Sequence, residues 1–541
     1  MKKNEHYEIE ITDLGKNGEG IGRLDGFAFF VDGGLPGDTV EMRVVKLKKT
    51  YGYGKLMRIV NPSPHRVEPR CPVFWRCGGC TLQHLAYSEQ LRLKTKQVAD
   101  ALLRIGGIVD APVLPAIGMD NPYAYRNKAQ FPIRNVSGRP AAGFFSARSH
   151  TLVPIDDCCT QHPANHTIIQ IVQTFMEEFH ISCYDEETHT GLVRHLLTRC
   201  AFHTNEIMAC LVINGSDLPH SDTLAARLAA LPGMASIVLN CNTNRTNVIL
   251  GDECRTIWGR AFITDFIGAL RFEISPLSFF QVNPVQTQVL YETALALADV
   301  QPTDTVIDLY CGIGTLSLFF ARRAGAVVGV EIVQQAIDDA NRNAAANGIA
   351  NATFIAGQAE RVMSTLVAEQ GIAADVIVLD PPRKGCEPEV LDAIAELRPG
   401  KIVYVSCDPA TLARDLRMLC EKGYGVRRVQ PVDMFPQTGH VETVVLLSKL
   451  KSTTSIEVKI DLDEVDLTKS ESKATYDEIK AYVLDKYGFK VSQLYIAQVK
   501  RKHGVIEREN YYTGEGKAKV PQVPEDKEKA IEDALKHFQM I

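Results

Sequence analysis

Residues 305 to 331 carry the pattern that most restricts the fold. Thr305-Val306-Ile307-Asp308-Leu309-Tyr310 reads as a strand, Cys311-Gly312-Ile313-Gly314-Thr315 as a tight glycine-containing turn, and Leu316 to Ala324 as a helix. A second apolar strand, Ala326-Val327-Val328-Gly329-Val330, ends in Glu331. Strand, glycine loop, helix, strand and acid in that order specify a doubly wound α/β unit. The acid suits the two hydroxyls of an adenosine ribose. The third position of the dinucleotide fingerprint is Ser317 rather than Gly or Ala, which disfavours a pyrophosphate. A nucleoside cofactor without phosphates fits better, and S-adenosylmethionine is the common one.

Two further strands lead to the same edge. Asp375-Val376-Ile377-Val378-Leu379 delivers Asp380-Pro381-Pro382-Arg383, and Lys401-Ile402-Val403-Tyr404-Val405 delivers Ser406-Cys407-Asp408-Pro409. Ligands of open α/β sheets bind at the carboxyl ends of the strands, so Tyr310, Glu331, Asp380 and Cys407 are expected to gather there. Asp408 and Pro409 read as N-cap and N1 of a helix. The positive end of that helix is expected to favour the thiolate of Cys407.

The runs Asp308-Leu309-Tyr310-Cys311-Gly312-Ile313-Gly314-Thr315, Asp380-Pro381-Pro382-Arg383-Lys384-Gly385, Ser406-Cys407-Asp408-Pro409-Ala410-Thr411 and His440-Val441-Glu442-Thr443 together resemble the RNA uracil-C5 methyltransferases. The likeness is strongest to the bacterial 23S ribosomal RNA members and spans residues 7 to 449. It implies Cys407 as nucleophile and Glu442 as base. It also implies Gln281, Tyr310, Glu331 and Asp380 as S-adenosylmethionine contacts, with Gln358 a further candidate for the adenine. The chemistry requires such a set. C5 of uracil is too weak a nucleophile to take a methyl group unaided, and a thiolate adding to C6 makes C5 an enolate carbon. The C5 proton must then leave to a base. Amino-methylating enzymes place an aromatic after Asp-Pro-Pro, where this chain has Arg383, and cytosine-C5 enzymes use a Pro-Cys pair, which this chain lacks.

The chain has 14 cysteines but opens on charged sequence rather than a secretory apolar run, so a cytoplasmic protein with few disulfides is expected. No apolar run approaches the ~18 residues of a membrane span. Cys71, Cys77 and Cys80 form a C-x5-C-x2-C cluster, and Cys158 and Cys159 are candidates for a fourth ligand. Thiolate chemistry admits zinc or an iron–sulfur cluster. The family resemblance implies a [4Fe-4S] cluster with Cys158 as the fourth ligand, although Cys159 stands where the family has another residue.

Short apolar segments punctuated by glycine and Pro-Gly, Gly18 to Arg23, Phe27 to Val31 and Val40 to Val45, suggest a small barrel. It resembles the TRAM domain, an OB-like RNA-binding barrel. Between Met42 and Val60 stand Arg43, Lys46, Lys48, Lys49, Lys55 and Arg58, interleaved with Tyr51 and Tyr53 and with no acid. Single-stranded RNA binding uses that mixture. The formal net charge of −6 argues against a general polyanion binder. The segment Tyr125-Arg126-Asn127-Lys128, leading into Ala129-Gln130-Phe131-Pro132-Ile133-Arg134, resembles a family segment that faces the RNA; the alternative is a charged strand start.

The expected architecture is multidomain α/β. It comprises an OB-like barrel (1–62), a cluster-bearing α+β region (63–268), a Rossmann-like methyltransferase domain (269–450) and a mostly helical extension (451–541). The extension reads as a helix from Thr475 to Tyr487 and another from Ser492 to His503, either a helix-turn-helix with Lys500-Arg501-Lys502 toward nucleic acid or a plain hairpin. The expected activity is methylation of a uridine in 23S ribosomal RNA, by a monomer. The alternatives are a transfer RNA uracil-C5 methyltransferase and a non-catalytic RNA-binding protein.

Overall fold

A computed structural model describes residues 1–368, 373–450, 476–503, 523–538 and 540–541. Residues 1–451 and 452–541 form two separate compact units.

The first unit begins with a closed barrel of β1 (His6–Leu14), β2 (Gly20–Leu24), β3 (Phe27–Asp32), β4 (Thr39–Leu47) and β5 (Tyr51–Asn61), ordered β1-β2-β3-β5-β4. Alternation along the strands sends Ile9, Ile11, Phe29, Val31, Val40, Met42 and Val44 inward. The expected segments are β2, β3 and β4. Strand β1 lies outside them, because its Glu8 and Glu10 dilute the apolar signal. The Met42–Val60 stretch is the β4–β5 hairpin. Period two puts Tyr51 and Tyr53 on one face, where they pack on Phe30 with ring centroids 5.6 and 5.9 Å away. The intervening Gly52 and Gly54 are required, because a side chain there would run into Phe29 and Met42.

A helix, Tyr87–Arg104, leads to a seven-stranded sheet. Its strands are β6 (Lys128–Val136), β7 (Arg139–Phe145), β8 (Leu152–Pro154), β9 (Val193–Cys200), β10 (Ile207–Ile213), β11 (Met234–Cys241) and β12 (Glu253–Gly259), ordered β12-β11-β10-β9-β6-β7-β8. Helices Ala164–Glu178 and Ser221–Ala229 supply part of its core. The hairpin of β13 (Ile263–Ile267) and β14 (Leu270–Ile274) follows.

The last sheet of this unit holds the site. Its strands are β15 (Thr305–Leu309), β16 (Ala326–Glu331), β17 (Ala352–Ala356), β18 (Val376–Leu379), β19 (Lys401–Ser406), β20 (Tyr424–Val432) and β21 (Glu442–Lys449). They are ordered β17-β16-β15-β18-β19-β21-β20, with β21 antiparallel to both neighbours and the first five strands parallel. The order reverses between β15 and β18, so the topological switch point lies at their carboxyl ends. Helices cover both faces, as parallel strands this apolar demand. The helix after the glycine turn is shorter than expected, Thr315–Ala321.

The second unit contains helices Tyr476–Tyr487, Gln493–Lys502 and Glu525–His537, packed around Ile479, Val483, Ile496, Val499, Ile531 and Leu535. The first two match the expected pair, with the turn at Gly488 and the Ser492 hydroxyl accepting from the Tyr495 amide at 3.3 Å. The third helix alters the meaning of the basic end. Lys500 is buried, and Lys502 and His503 form ion pairs with Glu528 and Glu532 of that helix. Lys451-Ser452-Thr453-Thr454-Ser455, which reads as a linker into the extension, lies outside the described residues.

Candidate active site and cysteine cavity

The four expected strand ends converge on one cavity of about 890 Å³. Gln281, Tyr310, Glu331, Asp380, Cys407 and Glu442 all line it, as does Gln358.

The turn after β15 is shaped by backbone that side chains rarely allow. Tyr310, Gly312 and Gly314 have φ of +69, +54 and +80°. A β-carbon on Gly314 would stand 3.0 Å from the Phe354 ring, so glycine is needed both for conformation and for close helix–sheet packing. Tyr310, which is not glycine, bears strain at the cavity wall. Glu331 is pinned at the end of β16. Its carboxylate oxygens accept from the Gly312 amide at 3.2 Å and the Val333 amide at 3.0 Å. Gln281 lies just before the helix Pro284–Ala298; Asn283-Pro284 reads in the sequence as N-cap and N1, and the Asn283 side chain accepts from the Gln286 amide at 3.2 Å. The Gln281 carbonyl accepts from Asn127 Nδ2 at 2.9 Å, tying the cavity wall to the central sheet.

Cys407 leaves β19 as expected, and Asp408 caps the helix Pro409–Glu421 through the Ala410 amide at 3.0 Å. Lys16 of the barrel forms an ion pair with Asp408. The expectation of a depressed thiol pKa is corrected. Burial, and next the charge of Glu442, push Cys407 up to about 11, with Arg383 opposing. One helix terminus is weaker than desolvation beside a carboxylate. Glu442 opens β21 and is 4% exposed. Burial and then the neighbouring Asp380 push it up to about 8, again against Arg383. Burial likewise pushes Asp380 up to about 7.

Sequence reasoning gave no role to Asp308, Arg383 or Phe279. Asp308 is fully buried and lines the cavity. Ser317 Oγ donates to its Oδ2 at 2.5 Å, its Oδ1 has no partner, and burial pushes it up to about 7. An acid inside an otherwise apolar parallel strand was the available signal. Phe279 is 72% exposed at the cavity wall, and nothing in its sequence context marks it.

The cysteines meet elsewhere. Cys71, Cys77, Cys80 and Cys158 line a second cavity of about 320 Å³. Cys159 turns its sulfur to Gln83, 3.5 Å from Nε2, and also hydrogen-bonds Cys71, which lowers the Cys71 thiol to about 6. The Gly79 amide donates to Cys77 Sγ at 3.4 Å. Among the described residues, no three His, Cys, Asp or Glu side chains converge tightly enough to hold one metal ion. No described helix is long and apolar enough to cross a membrane.

Comparison with known proteins agrees with this geometry. The family model described as tRNA (Uracil-5-)-methyltransferase matches residues 267–450, and the TRAM domain model matches residues 2–57. An uncharacterized RNA methyltransferase of Clostridium tetani is 49% identical over 449 residues, covering 83% of this chain and 97% of the relative. Another from Halalkalibacterium halodurans is 50% identical over 448 residues, covering 83% and 98%. The crystal structure of Pyrococcus abyssi tRNA (uracil-54, C5)-methyltransferase with S-adenosyl-L-homocysteine superposes with a TM-score of 0.66 at 29% identity, covering 82% of this chain and 100% of that one. The chain belongs to the RNA uracil-C5 methyltransferase family and is an S-adenosylmethionine-dependent RNA methyltransferase with an N-terminal TRAM barrel.

If Glu331 holds the ribose, Glu331→Ala is expected to weaken S-adenosylhomocysteine binding about tenfold or more, a loss of about 1.4 kcal/mol. Isothermal titration checks this, and unchanged affinity would place the nucleoside elsewhere.

Proposed function

We propose that the protein methylates C5 of a uridine in 23S ribosomal RNA through a covalent bond between Cys407 and C6. The observation that carries the reading is the meeting of Cys407 and Glu442 in one cavity with Gln281, Tyr310, Glu331 and Asp380. Glu331, with both oxygens fixed by backbone amides, would hold the ribose. Gln281, Tyr310 and Asp380 would hold the rest of the cofactor. S-adenosylmethionine supplies an electrophilic methyl group when bound. Cys407 adds to C6, which makes C5 nucleophilic. After methylation Glu442 takes the C5 proton, the C6–sulfur bond breaks, and the thiolate leaves with the electron pair. Arg383, whose charge acts on Cys407 and Glu442 alike, favours the ionised form of both.

The barrel and the cysteine cavity favour ribosomal RNA, whereas the likeness to an archaeal enzyme named for tRNA favours a transfer RNA uridine. Cys71, Cys77, Cys80 and Cys158 line one cavity, and we propose that they would hold a [4Fe-4S] cluster there; the Gly79 amide, which donates to Cys77 Sγ, is placed to donate to a ligating sulfur. A cluster there would join the Cys71–Cys80 loop to the segment around Cys158.

Mapping 5-methyluridine in cells with and without the gene tests the substrate. Loss of the mark at a 23S position is expected, and loss only in transfer RNA would overturn the ribosomal assignment. Glu442 must be ionised to accept the proton after methylation, and its pKa is raised, so kcat is expected to rise as pH passes about 8. Glu442→Gln should lose that limb and accumulate a protein–RNA adduct; rapid turnover would assign the proton to another group. Anaerobically purified protein should contain iron and sulfide, lost in Cys158→Ser. One stoichiometric zinc would reject the cluster.

A further inference from the structure

A third cavity, of about 440 Å³, lies on the central sheet and is not used by the chemistry above. Arg134 of β6, Arg194 at the start of β9 and Arg245 of the β11–β12 connection all line it, with Glu186 the one carboxylate among the lining residues. Arg194 is 3% exposed. It donates to the Asn242 and Asn244 carbonyls at 2.7 and 2.8 Å, and its guanidinium lies 4.4 Å from the Tyr184 ring centroid. Its Nε has no hydrogen-bond partner. His195 beside it is 7% exposed, and its Nδ1 is also unpartnered. Buried polar nitrogens are normally satisfied, so the Arg194 Nε–H, which can only donate, points to a missing acceptor; burial and the neighbouring guanidinium groups keep His195 neutral, and its Nδ1 can donate beside it in one tautomer. Arg245 is exposed and has no ion-pair partner among the described residues.

The rim adds planar groups. Phe145 and His150 stack with centroids 5.1 Å apart and planes 13° apart, and Arg134 lies 5.6 Å from the Phe145 centroid. Both Arg134 and His150 engage Glu186, at 3.1 and 2.8 Å. Three guanidinium groups against one carboxylate leave a positive excess, and aromatic faces beside cations are the means by which single-stranded nucleic acid is held. The pocket also connects to the barrel. Arg148, three residues beyond Phe145, forms ion pairs with barrel residues Glu19 at 3.1 Å and Asp32 at 3.5 Å. The Phe30, Tyr51 and Tyr53 cluster stands on the same barrel. Arg134 is seven residues along the chain from Asn127, which touches the catalytic cavity wall at Gln281, a strand distance of about 23 Å.

We propose that this cavity is a second RNA site, holding a backbone phosphate and an adjacent base of the substrate several nucleotides from the target uridine. The proposal rests on the reading of the protein as an RNA uridine methyltransferase and adds a grip on the substrate that the barrel and the catalytic cavity do not supply. Arg194 and His195 would meet the phosphate oxygens, Arg245 would reach the backbone from the rim, and the Phe145–His150 pair would receive the base.

The test uses the full-length protein and an in vitro transcript of 23S ribosomal RNA. Arg194 also holds backbone carbonyls, so its substitution risks the fold; Arg134 donates to the Ile133 and Arg194 carbonyls at 3.0 and 3.3 Å, so the informative variants are Arg245→Gln alone, expected to weaken binding in the same direction, and the double variant Arg245→Gln with Arg134→Gln. The double variant is expected to bind the transcript about tenfold more weakly. Its salt slope should be shallower by about one for each phosphate that is no longer neutralised. Affinity for S-adenosylhomocysteine should match wild type and so confirm the fold. Transcript affinity and salt slope equal to wild type would overturn the proposal. So would binding of inorganic phosphate that depends on Arg245 while RNA affinity does not, because the cavity would then serve a small anion. A wild type that binds the transcript through Arg245 yet transfers no methyl group would overturn the methylation reading and leave this site standing.

Discussion

A buried ion pair between Lys94 and Asp433 organises the catalytic end of the molecule. Lys94 Nζ stands 2.5 Å from Asp433 Oδ1, and the side chains are 2% and 0% exposed. The Tyr87 hydroxyl donates to the other carboxylate oxygen at 2.8 Å, and Lys94 also donates to the Phe435 carbonyl at 3.1 Å. Burial favours the neutral amine, and Asp433 counters it. Such a pair adds little net stability over an apolar replacement, yet losing one partner costs about 3–5 kcal/mol. Its value here is positional. Asp433 begins the segment that delivers Glu442, and other residues far away in sequence grip the same segment. Tyr125 donates to the Pro436 carbonyl at 3.0 Å, the Thr81 and Leu82 amides donate to the Gln437 carbonyl at 3.0 Å, and Gln90 accepts from the Gln437 amide at 3.1 Å. The residues that precede the methyltransferase sheet therefore hold the loop that delivers Glu442 to the cavity.

The cavity collects carboxylates where solvent cannot screen them. Asp308, Asp380 and Glu442 are all pushed up toward neutrality by burial, with Arg383 the cation that acts on the last of them. Carboxylates in this state respond strongly to positive charge placed beside them. A cationic cofactor would favour their ionised forms while the methyl donor is bound, before the transfer that leaves a neutral thioether. The same reasoning applies to Cys407, whose thiol is held up by desolvation and by Glu442.

Much of the site was legible because each residue stands at the end of an apolar strand or beside a helix cap. Asn283 and Asp408 cap their helices through the expected side-chain bonds, and Glu331, Asp380 and Cys407 reach one cavity because parallel strands end at one edge. Three features were not legible. The thiol's environment depends on Glu442, thirty-five residues away, and on burial, neither of which a local helix-cap argument contains. The basic end of the helix Gln493–Lys502 was read without its third helix, whose Glu528 and Glu532 lie beyond a long intervening stretch. The cationic cavity on the central sheet was equally hidden, since Arg134, Arg194 and Arg245 come from three separate chain segments.

The proposed covalent role of Cys407 is tested most directly with a transcript carrying 5-fluorouridine at the target position. Fluorine cannot leave as a proton does, so the intermediate should stay bound. Wild-type protein with S-adenosylmethionine is expected to give an RNA adduct that survives denaturing electrophoresis and maps to Cys407, and Cys407→Ala should give none. No adduct from the wild type, or methyl transfer by Cys407→Ala, would contradict the account.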